Sequence, residues 1–166
     1  MKTLTLLRHA KSSWDDPHLA DFDRPLNPRG RSDAPEMGRR LKARGHLPDL
    51  IVSSPARRAL ATARMVAREI GIPEERIIEE PGLYHAGAER ILRTVTSLES
   101  HARHLMLVGH NPGFNDLANR LSDARIDNLP TAAVFQVEFD ADDWSEVVAG
   151  QGRFILFDTP KQPFPD

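Results

Sequence analysis

Residues 50–63 read LIVSSPARRALATA and join a strand-like run to a helix-like run through a short polar loop. The largely apolar run at 50–53 is bounded by loop residues, which is typical of a strand buried on both faces of a parallel sheet. After Pro55, apolar side chains recur at helical spacing as far as Ile70, and Gly71 is placed to end the helix. A strand followed directly by a helix in this way indicates an α/β fold.

The same alternation continues along the rest of the chain. Further strands are predicted at residues 3–7, 76–79, 105–108, 134–139 and 154–157. Further helices are predicted after Pro28, after Pro112 and over residues 88–98. Residues 134–139 alternate between apolar and polar, which predicts a strand with one face exposed to water. We therefore expect a single three-layer α/β domain over residues 1–158, with a mostly parallel central sheet flanked by helices, and a proline-rich, loosely ordered tail at 159–166.

Three of the predicted helices begin with a capping side chain beside a proline, in the pairs Asn27-Pro28, Ser54-Pro55 and Asn111-Pro112. The side-chain oxygen can accept an N–H that the first helical turn leaves unpaired, and proline at the first helical position lacks that N–H. The first of these helices also contains Pro35, which predicts a kink or a late start.

The composition limits the classes of partner that the chain can bind. Basic and acidic residues nearly balance, at 22 and 24, so the formal net charge of −2 gives no electrostatic case for nucleic acid or an anionic membrane. No apolar stretch is long enough to span a bilayer and no signal-peptide pattern is visible, so neither is expected. Cysteine is absent, which excludes thiol nucleophiles and thiolate metal sites and fits a reducing compartment. We expect a globular cytoplasmic protein.

Polar residues follow three of the predicted strands at the point where each strand ends. Arg8 and His9 follow the first strand, Arg57 and Arg58 follow residues 50–53, and His110 follows residues 105–108. The carboxyl ends of parallel strands meet at one edge of the sheet, and ligands of open α/β sheets bind there. Guanidinium groups match phosphate oxygens in pairs, so this edge is predicted to bind a dianionic, tetrahedral ligand.

These residue types also suit phosphoryl transfer. Neutral imidazole is nucleophilic near pH 7 and can carry a phosphoryl group as a covalent intermediate. A second histidine and the arginines can supply the positive charge that magnesium supplies in other enzymes, so we expect no metal and no cofactor. The phosphate-binding loop GxxxxGK[ST], the zinc motif HExxH and the calcium loop DxDG are absent from the sequence.

Three blocks of the sequence resemble the histidine phosphatase (phosphoglycerate mutase-like) superfamily. Residues 7–10 (LRHA) resemble its RHG-type signature, residues 53–63 (SSPARRALATA) its SSPxxRAxxTA block, and residues 108–112 (VGHNP) its second-histidine block. The blocks occur in order, each at a predicted strand end. Within the superfamily, the short chain and the stretch LRHAKSSW at residues 7–14 are most similar to the SixA-type phosphohistidine phosphatases.

The resemblance implies a phosphoglycerate mutase-like fold and a role for each site residue. His9 would be the phosphorylated nucleophile, and Arg8, Arg58 and His110 would bind the phosphoryl group. The role falls on Arg58 rather than Arg57 because Arg58 is the arginine followed by alanine, with a threonine four positions on. The implied substrate is phosphohistidine on a phosphorelay protein of the histidine phosphotransfer type.

Two alternatives to this function stay open. The same residues could hydrolyse a small phosphorylated metabolite, or the chain could be a non-catalytic module that binds phosphate or a phosphoprotein. The short stretch between Arg58 and His110 leaves little room for a substrate-enclosing insertion, which favours a protein substrate. The general acid is also open, because Glu80, His85 or an aspartate within residues 15–23 could donate the proton.

Other charged side chains are predicted to lie on solvated surfaces. They are Arg57, Arg64 and Arg68 after Pro55, and the basic stretch Arg39, Arg40, Lys42 and Arg44 after Pro28. His101 and His104 have a helix-like spacing but no third ligand nearby, so no metal site is expected there. Trp14 is predicted to pack against a loop.

Overall fold

The structure, a computed structural model, describes residues 1–164 as six strands and four α-helices, with short 3₁₀ turns between them. The strands are β1 (Lys2–Arg8), β2 (Leu50–Ser53), β3 (Ile78–Glu79), β4 (His104–Gly109), β5 (Val134–Phe139) and β6 (Arg153–Asp158). The helices are α1 (Pro28–Arg44), α2 (Arg57–Ile70), α3 (Ala88–Thr96) and α4 (Gly113–Leu121). All six predicted strands are therefore present, and the predicted helix at 88–98 ends two residues early.

All six strands form one sheet in the order β3–β2–β4–β1–β5–β6. The first four run parallel, β5 is antiparallel to β1, and β6 is antiparallel to β5. The register pairs Arg8 of β1 with Gly109 of β4, and Ser53 of β2 with Val108 of β4. The ends of these three strands consequently lie side by side at one edge, and the predicted mostly parallel α/β sheet is confirmed.

Helices cover both faces of the sheet. Leu7, Met106 and Val108 belong to an apolar cluster with buried residues of α1 and α2. The alternate residues Leu6 and Leu107 point into a second cluster with α3 and α4. Because successive strand residues face opposite sides and both faces are covered, β4 is apolar from Leu105 to Val108, and β1 is apolar at Leu4, Leu6 and Leu7. The result is the predicted three-layer arrangement.

The start of α1 agrees with the sequence prediction. The side-chain oxygen of Asn27 accepts the N–H of Gly30 at 2.8 Å, and Pro28 is the first helical residue. The helix runs on through Pro35, so the alternative of a late start is wrong. At the far end of α2, Gly71 adopts the left-handed conformation with φ 85°, as the prediction of a glycine stop requires.

The other two proline-marked helices begin later than predicted. Helix α2 starts at Arg57 rather than Pro55, because the N–H of Ser54 still bonds the carbonyl of Val108 and prolongs the sheet. The Ser54 hydroxyl accepts the N–H of Ala56 at 3.2 Å and so shapes a turn instead of capping the helix. Helix α4 starts one residue after its proline, at Gly113.

Two surface predictions are wrong. Gln136 in the alternating strand β5 is fully buried, because it shares a face of the sheet with Val134 and the apolar cluster with α1 and α2 covers that face. Arg40 of α1 is only 6% exposed, and its Nη1 lies 3.1 Å from Oδ1 of the buried Asp158. A partner 118 residues away in sequence holds this guanidinium inside the protein, which the local charge pattern does not reveal.

The described part of the predicted tail, residues 159–164, lies along α1. Arg40 Nη1 donates to the carbonyl of Thr159 at 2.9 Å, and the guanidinium of Arg44 lies 4.7 Å from the centre of the Phe164 ring. Residues 165–166, which the prediction of a loosely ordered tail also covers, lie outside the described residues. Among residues 1–164, no helix is long and apolar enough to cross a membrane.

Candidate active site

The four residues singled out in the sequence meet at the carboxyl edge of the sheet. Arg8 is the last residue of β1, and the N–H of His9 bonds the carbonyl of Gly109 at 2.9 Å. His110 directly follows β4, and its ring centre lies 5.2 Å from that of His9. Arg58, in the first turn of α2, is close enough for its charge to act on the pKa of Arg8, His9 and His110.

His9 is held as a neutral imidazole with a defined tautomer. Its Nδ1 lies 2.7 Å from the carbonyl oxygen of Ala10, and a carbonyl only accepts, so Nδ1 carries the proton. The Nε2 atom therefore keeps a free lone pair. Burial lowers the pKa of His9 to about 3, the charges of His110, Arg58 and Arg8 act in the same direction, and the bond to Ala10 opposes them. At neutral pH the ring is uncharged, which is the state that an imidazole nucleophile requires.

The turn after His9 is tied to α2 by a threonine. The N–H of Ala10 donates to Oγ1 of Thr62 at 2.9 Å, and this hydroxyl donates to the carbonyl of Arg58 at 2.8 Å. One hydroxyl thereby links the residue after His9 to the helical turn that bears Arg58. This contact explains why a threonine follows Arg58 by four positions.

His110 faces the same site from the end of β4. Its Nε2 shares a hydrogen bond of 2.8 Å with the hydroxyl of Ser54, while its Nδ1 is buried and bonded to no other atom of residues 1–164. Burial first, and then Arg58, lower the pKa of His110 to about 4. An unpaired polar atom in the protein interior is costly, so the free Nδ1 favours a ligand at this position.

The two arginines place positive charge beside the histidines. Arg8 Nη1 donates to the carbonyl of Leu129 at 3.1 Å, whereas its Nε is buried without a partner among the described residues. Burial and the charge of Arg58 lower the pKa of Arg8. Two guanidinium groups in mutual repulsion are stabilised by an anion between them. This edge is therefore suited to a dianionic, tetrahedral group such as a phosphoryl group.

Asp21 and Tyr84 join this site; Asp21 is one of the aspartates considered as a general acid, whereas Tyr84 was not assigned to the site from the sequence. Asp21 lies in the 3₁₀ turn Asp21–Asp23, and its Oδ2 accepts from Arg58 Nη2 at 3.0 Å and from the Tyr84 hydroxyl at 2.6 Å. Partial burial opposes ionisation of Asp21, but the bonds from Tyr84 and Arg58 outweigh it and hold the pKa at about 2. Burial and the nearby carboxylate raise the pKa of Tyr84. The only sequence signal for Asp21 was its place within the 15–23 segment.

A surface cavity of about 400 Å³ opens at this point of the sheet edge. It is lined by Asp21, Arg58, His85 and His110, together with residues 86–87 and 111–112. Of the three predicted sources of a general acid, His85 and Asp21 therefore line the cavity. Glu80 lies elsewhere: its Oε1 accepts the N–H of Gly82 at 2.9 Å, and the residue borders a different cavity beside Arg90.

The remaining sequence candidates take no part in this cavity. Arg57 is exposed and its Nη1 contacts the carbonyl of Asp23 at 3.4 Å. His104 is buried at the opposite edge of the sheet, and within residues 1–164 no three His, Cys, Asp or Glu side chains group as a metal site would need. Trp14 is 77% exposed, and the guanidinium of Arg24 stacks 3.2 Å from the centre of its ring.

The sequence and the fold both match known proteins of one superfamily. The sequence model of the Histidine phosphatase superfamily (branch 1) matches residues 4–85. An uncharacterized chloroplastic protein of Arabidopsis thaliana is 33% identical over 159 residues, which are 91% of this chain and 72% of the relative. A crystal structure assigned as the phosphohistidine phosphatase SixA of Agrobacterium tumefaciens is 30% identical, with a TM-score of 0.80 over 96% of this chain and 98% of that one.

A second solved structure, protein histidine phosphatase SixA complexed with tungstate, has a TM-score of 0.80 over 95% of this chain and 97% of that one. Because only 21% of the residues are identical, this match shows that the two proteins share a fold and nothing more. The chain belongs to the histidine phosphatase superfamily and has the phosphoglycerate mutase-like fold. Its family and its SixA neighbours support a phosphatase activity that acts through a histidine.

Proposed function

We propose that the protein is a phosphatase that transfers a phosphoryl group from its substrate to Nε2 of His9 and then to water, and that its substrate is phosphohistidine on a phosphorelay protein. The observation that supports this most directly is the bond from His9 Nδ1 to the carbonyl of Ala10. That bond leaves Nε2 as the free lone pair in a neutral ring, which is what an imidazole nucleophile requires.

The proposed reaction has two displacements at phosphorus. In the first, the Nε2 lone pair of His9 forms a bond to phosphorus while the bond to the leaving group breaks. In the second, water attacks the phosphorus and the P–N bond breaks, returning its electron pair to Nε2. Arg8, Arg58 and the free Nδ1 side of His110 contact the phosphoryl oxygens in both steps. Because two guanidinium groups supply the positive charge, the proposed reaction uses no metal ion or other cofactor.

The shape of the site supports a substrate carried on a protein. In residues 71–103, between α2 and β4, the structure shows β3, α3 and short turns and no separate domain that would cap the cavity. A phosphorylated side chain on another protein could reach such an open site. The 30% identical Agrobacterium tumefaciens structure, assigned as a phosphohistidine phosphatase, supports the same substrate.

A second candidate is a phosphatase of small phosphorylated metabolites that uses the same residues. The cavity of about 400 Å³ lies within the usual range for small-molecule sites, which favours this candidate. A panel that compares a phosphorylated histidine protein with sugar and nucleotide phosphates separates the two. A far higher kcat/KM for the metabolites would overturn the proposed substrate.

The covalent step is tested by brief incubation with ³²P-labelled substrate followed by quenching. We expect a phosphoenzyme that is stable in alkali and labile in acid, and we expect none in His9→Ala. His101→Ala, which removes an exposed histidine at the other end of the molecule, is the matched control and should label like the unaltered protein. Release of phosphate with no labelled protein would contradict the mechanism, as would loss of activity with a chelator. Binding of phosphate without any turnover would instead identify a non-catalytic binding module.

A further inference from the structure

The cavity contains two groups that could pass a proton to the leaving group, and their surroundings differ. Asp21 is held as a carboxylate by Arg58 and Tyr84, with a pKa of about 2. At neutral pH only about one such group in 10⁵ is protonated, so Asp21 is a poor acid in this setting. Its contacts instead make Asp21 a fixed negative charge that pairs with Arg58. The other group is His85, which faces the same cavity.

The position of His85 is set by close contacts around it. Its backbone has φ 57°, a left-handed conformation that is uncommon for residues other than glycine and is often found at functional sites. Its ring packs against Tyr84 with 3.9 Å between ring centres, and Tyr84 in turn lies 5.5 Å from the ring of His110. A side chain on Gly113 would collide with the carbonyl oxygen of Ala86, so glycine at this position allows the loop to approach α4.

We propose that His85 is the proton donor to the leaving group and, in the second step, the acceptor of a proton from water. This inference rests on the proposed function. It follows from three features together: the ring lines the cavity beside Arg58 and His110, its backbone is held in a strained conformation, and the residue is exposed to solvent. Exposure lets the imidazole exchange its proton with bulk water after each turnover.

With His85 as proton donor in the first step and proton acceptor in the second, every proton in the reaction is accounted for. In the first step His9 Nε2 bonds to phosphorus, the bond from phosphorus to the leaving atom (nitrogen in phosphohistidine, oxygen in a phosphate ester) breaks, and the leaving group takes the proton of the His85 imidazolium. In the second step water bonds to phosphorus, its proton passes to neutral His85, and the P–N bond electrons return to His9. General acid–base assistance of this kind contributes about 10²–10⁴-fold in rate.

The leaving group decides how much this proton matters. An alkoxide is a strong base that leaves slowly without a proton, whereas a nitrophenolate leaves readily as an anion. Phosphohistidine lies between the two cases, because its imidazole leaves readily as a neutral ring once the second ring nitrogen is protonated. A variant without the proton donor should therefore fail on alkyl phosphates and keep most of its activity on 4-nitrophenyl phosphate.

The variant that tests this is His85→Asn, because asparagine tolerates the left-handed conformation and should leave the loop intact. We expect kcat/KM to fall about 10²-fold or more for an alkyl phosphate such as phosphoserine, and less than about 10-fold for 4-nitrophenyl phosphate. His101→Asn, an exposed histidine away from the cavity, should show neither effect. Labelling of His9 by 4-nitrophenyl phosphate should remain in His85→Asn.

The possible failures are distinguishable. Equal losses for both substrates in His85→Asn, or no loss for either, would overturn the role of His85. The same leaving-group dependence in Asp21→Asn but not in His85→Asn would assign the proton to Asp21 instead. Absence of a phosphoenzyme in the unaltered protein would overturn the proposed function itself, whatever the variants show.

Discussion

Strand β4 has a buried histidine at each end, and the comparison of the two separates a structural histidine from one suited to a ligand. His104 begins the strand and His110 follows it, and each is 8% exposed. Burial lowers the pKa of both to about 4. Neither burial nor the lowered pKa therefore identifies the functional residue.

The two ends of β4 differ in whether the buried polar atoms there have hydrogen-bond partners. His104 Nε2 bonds the hydroxyl of Thr5 at 2.6 Å, and its backbone N–H bonds the carboxylate of Asp49 at 3.0 Å. At the other edge, His110 bonds Ser54 through Nε2 but keeps a buried Nδ1 without a partner in the described chain, next to two guanidinium groups. The ring of His104 is paired within the protein itself, whereas the unpaired atoms of Arg8 and His110 make the carboxyl edge suited to an anion.

The largest effect that tests this comparison is expected from His110→Gln. Removing a donor that stabilises transferring charge costs about 10²–10³-fold in rate, so kcat/KM should fall by that factor while the melting temperature changes little. His104→Gln, at the same burial on the same strand, is the matched control and should keep its kcat/KM at a temperature where it remains folded. Equal activity losses in the two variants would show that the edges do not differ in function.

A smaller effect is expected from the hydroxyl partners of the two histidines. Thr5→Val keeps the shape of the side chain but leaves Nε2 of His104 buried and unpaired, which should lower the free energy of unfolding by about 1–3 kcal/mol. Ser54→Ala makes the corresponding change at His110 and should act mainly on kcat/KM. Urea unfolding and steady-state kinetics on both variants measure the contrast. A stable Thr5→Val would contradict the structural role of His104.

The third effect is a dependence of stability on pH. The folded-state pKa of His104 is lowered from 6.5 to about 4, so between these values the unfolded chain binds a proton that the folded chain does not. Stability should therefore be complete above pH 6.5 and fall as the pH drops towards 4, by up to about 1.4 kcal/mol per pH unit for each such histidine. His104→Gln should show a shallower slope in urea unfolding across this range. An unchanged slope would indicate that His104 is charged in the folded protein.

The sequence predicted the parts of the molecule that depend on local pattern. The apolar runs that became β2 and β4 were predicted because strands covered on both faces are largely apolar. Parallel strands then bring Arg8, Arg58 and His110 to one edge. Contacts between distant segments were not predictable. The burial of Arg40 depends on Asp158, and the state of Asp21 depends on Tyr84, 63 residues away. No periodicity within either segment records such a partner.

Thr62 has a practical consequence for anyone who would move this site to another protein. Its hydroxyl spans from the turn after His9 to the carbonyl of Arg58, so the end of β1 and the first turns of α2 form one mechanical unit. Copying the strand-end residues alone onto a different α/β scaffold would reproduce the chemical groups without their spacing. A transplant that keeps the spacing of His9 and Arg58 therefore has to carry the end of β1, the start of α2 and Thr62 together.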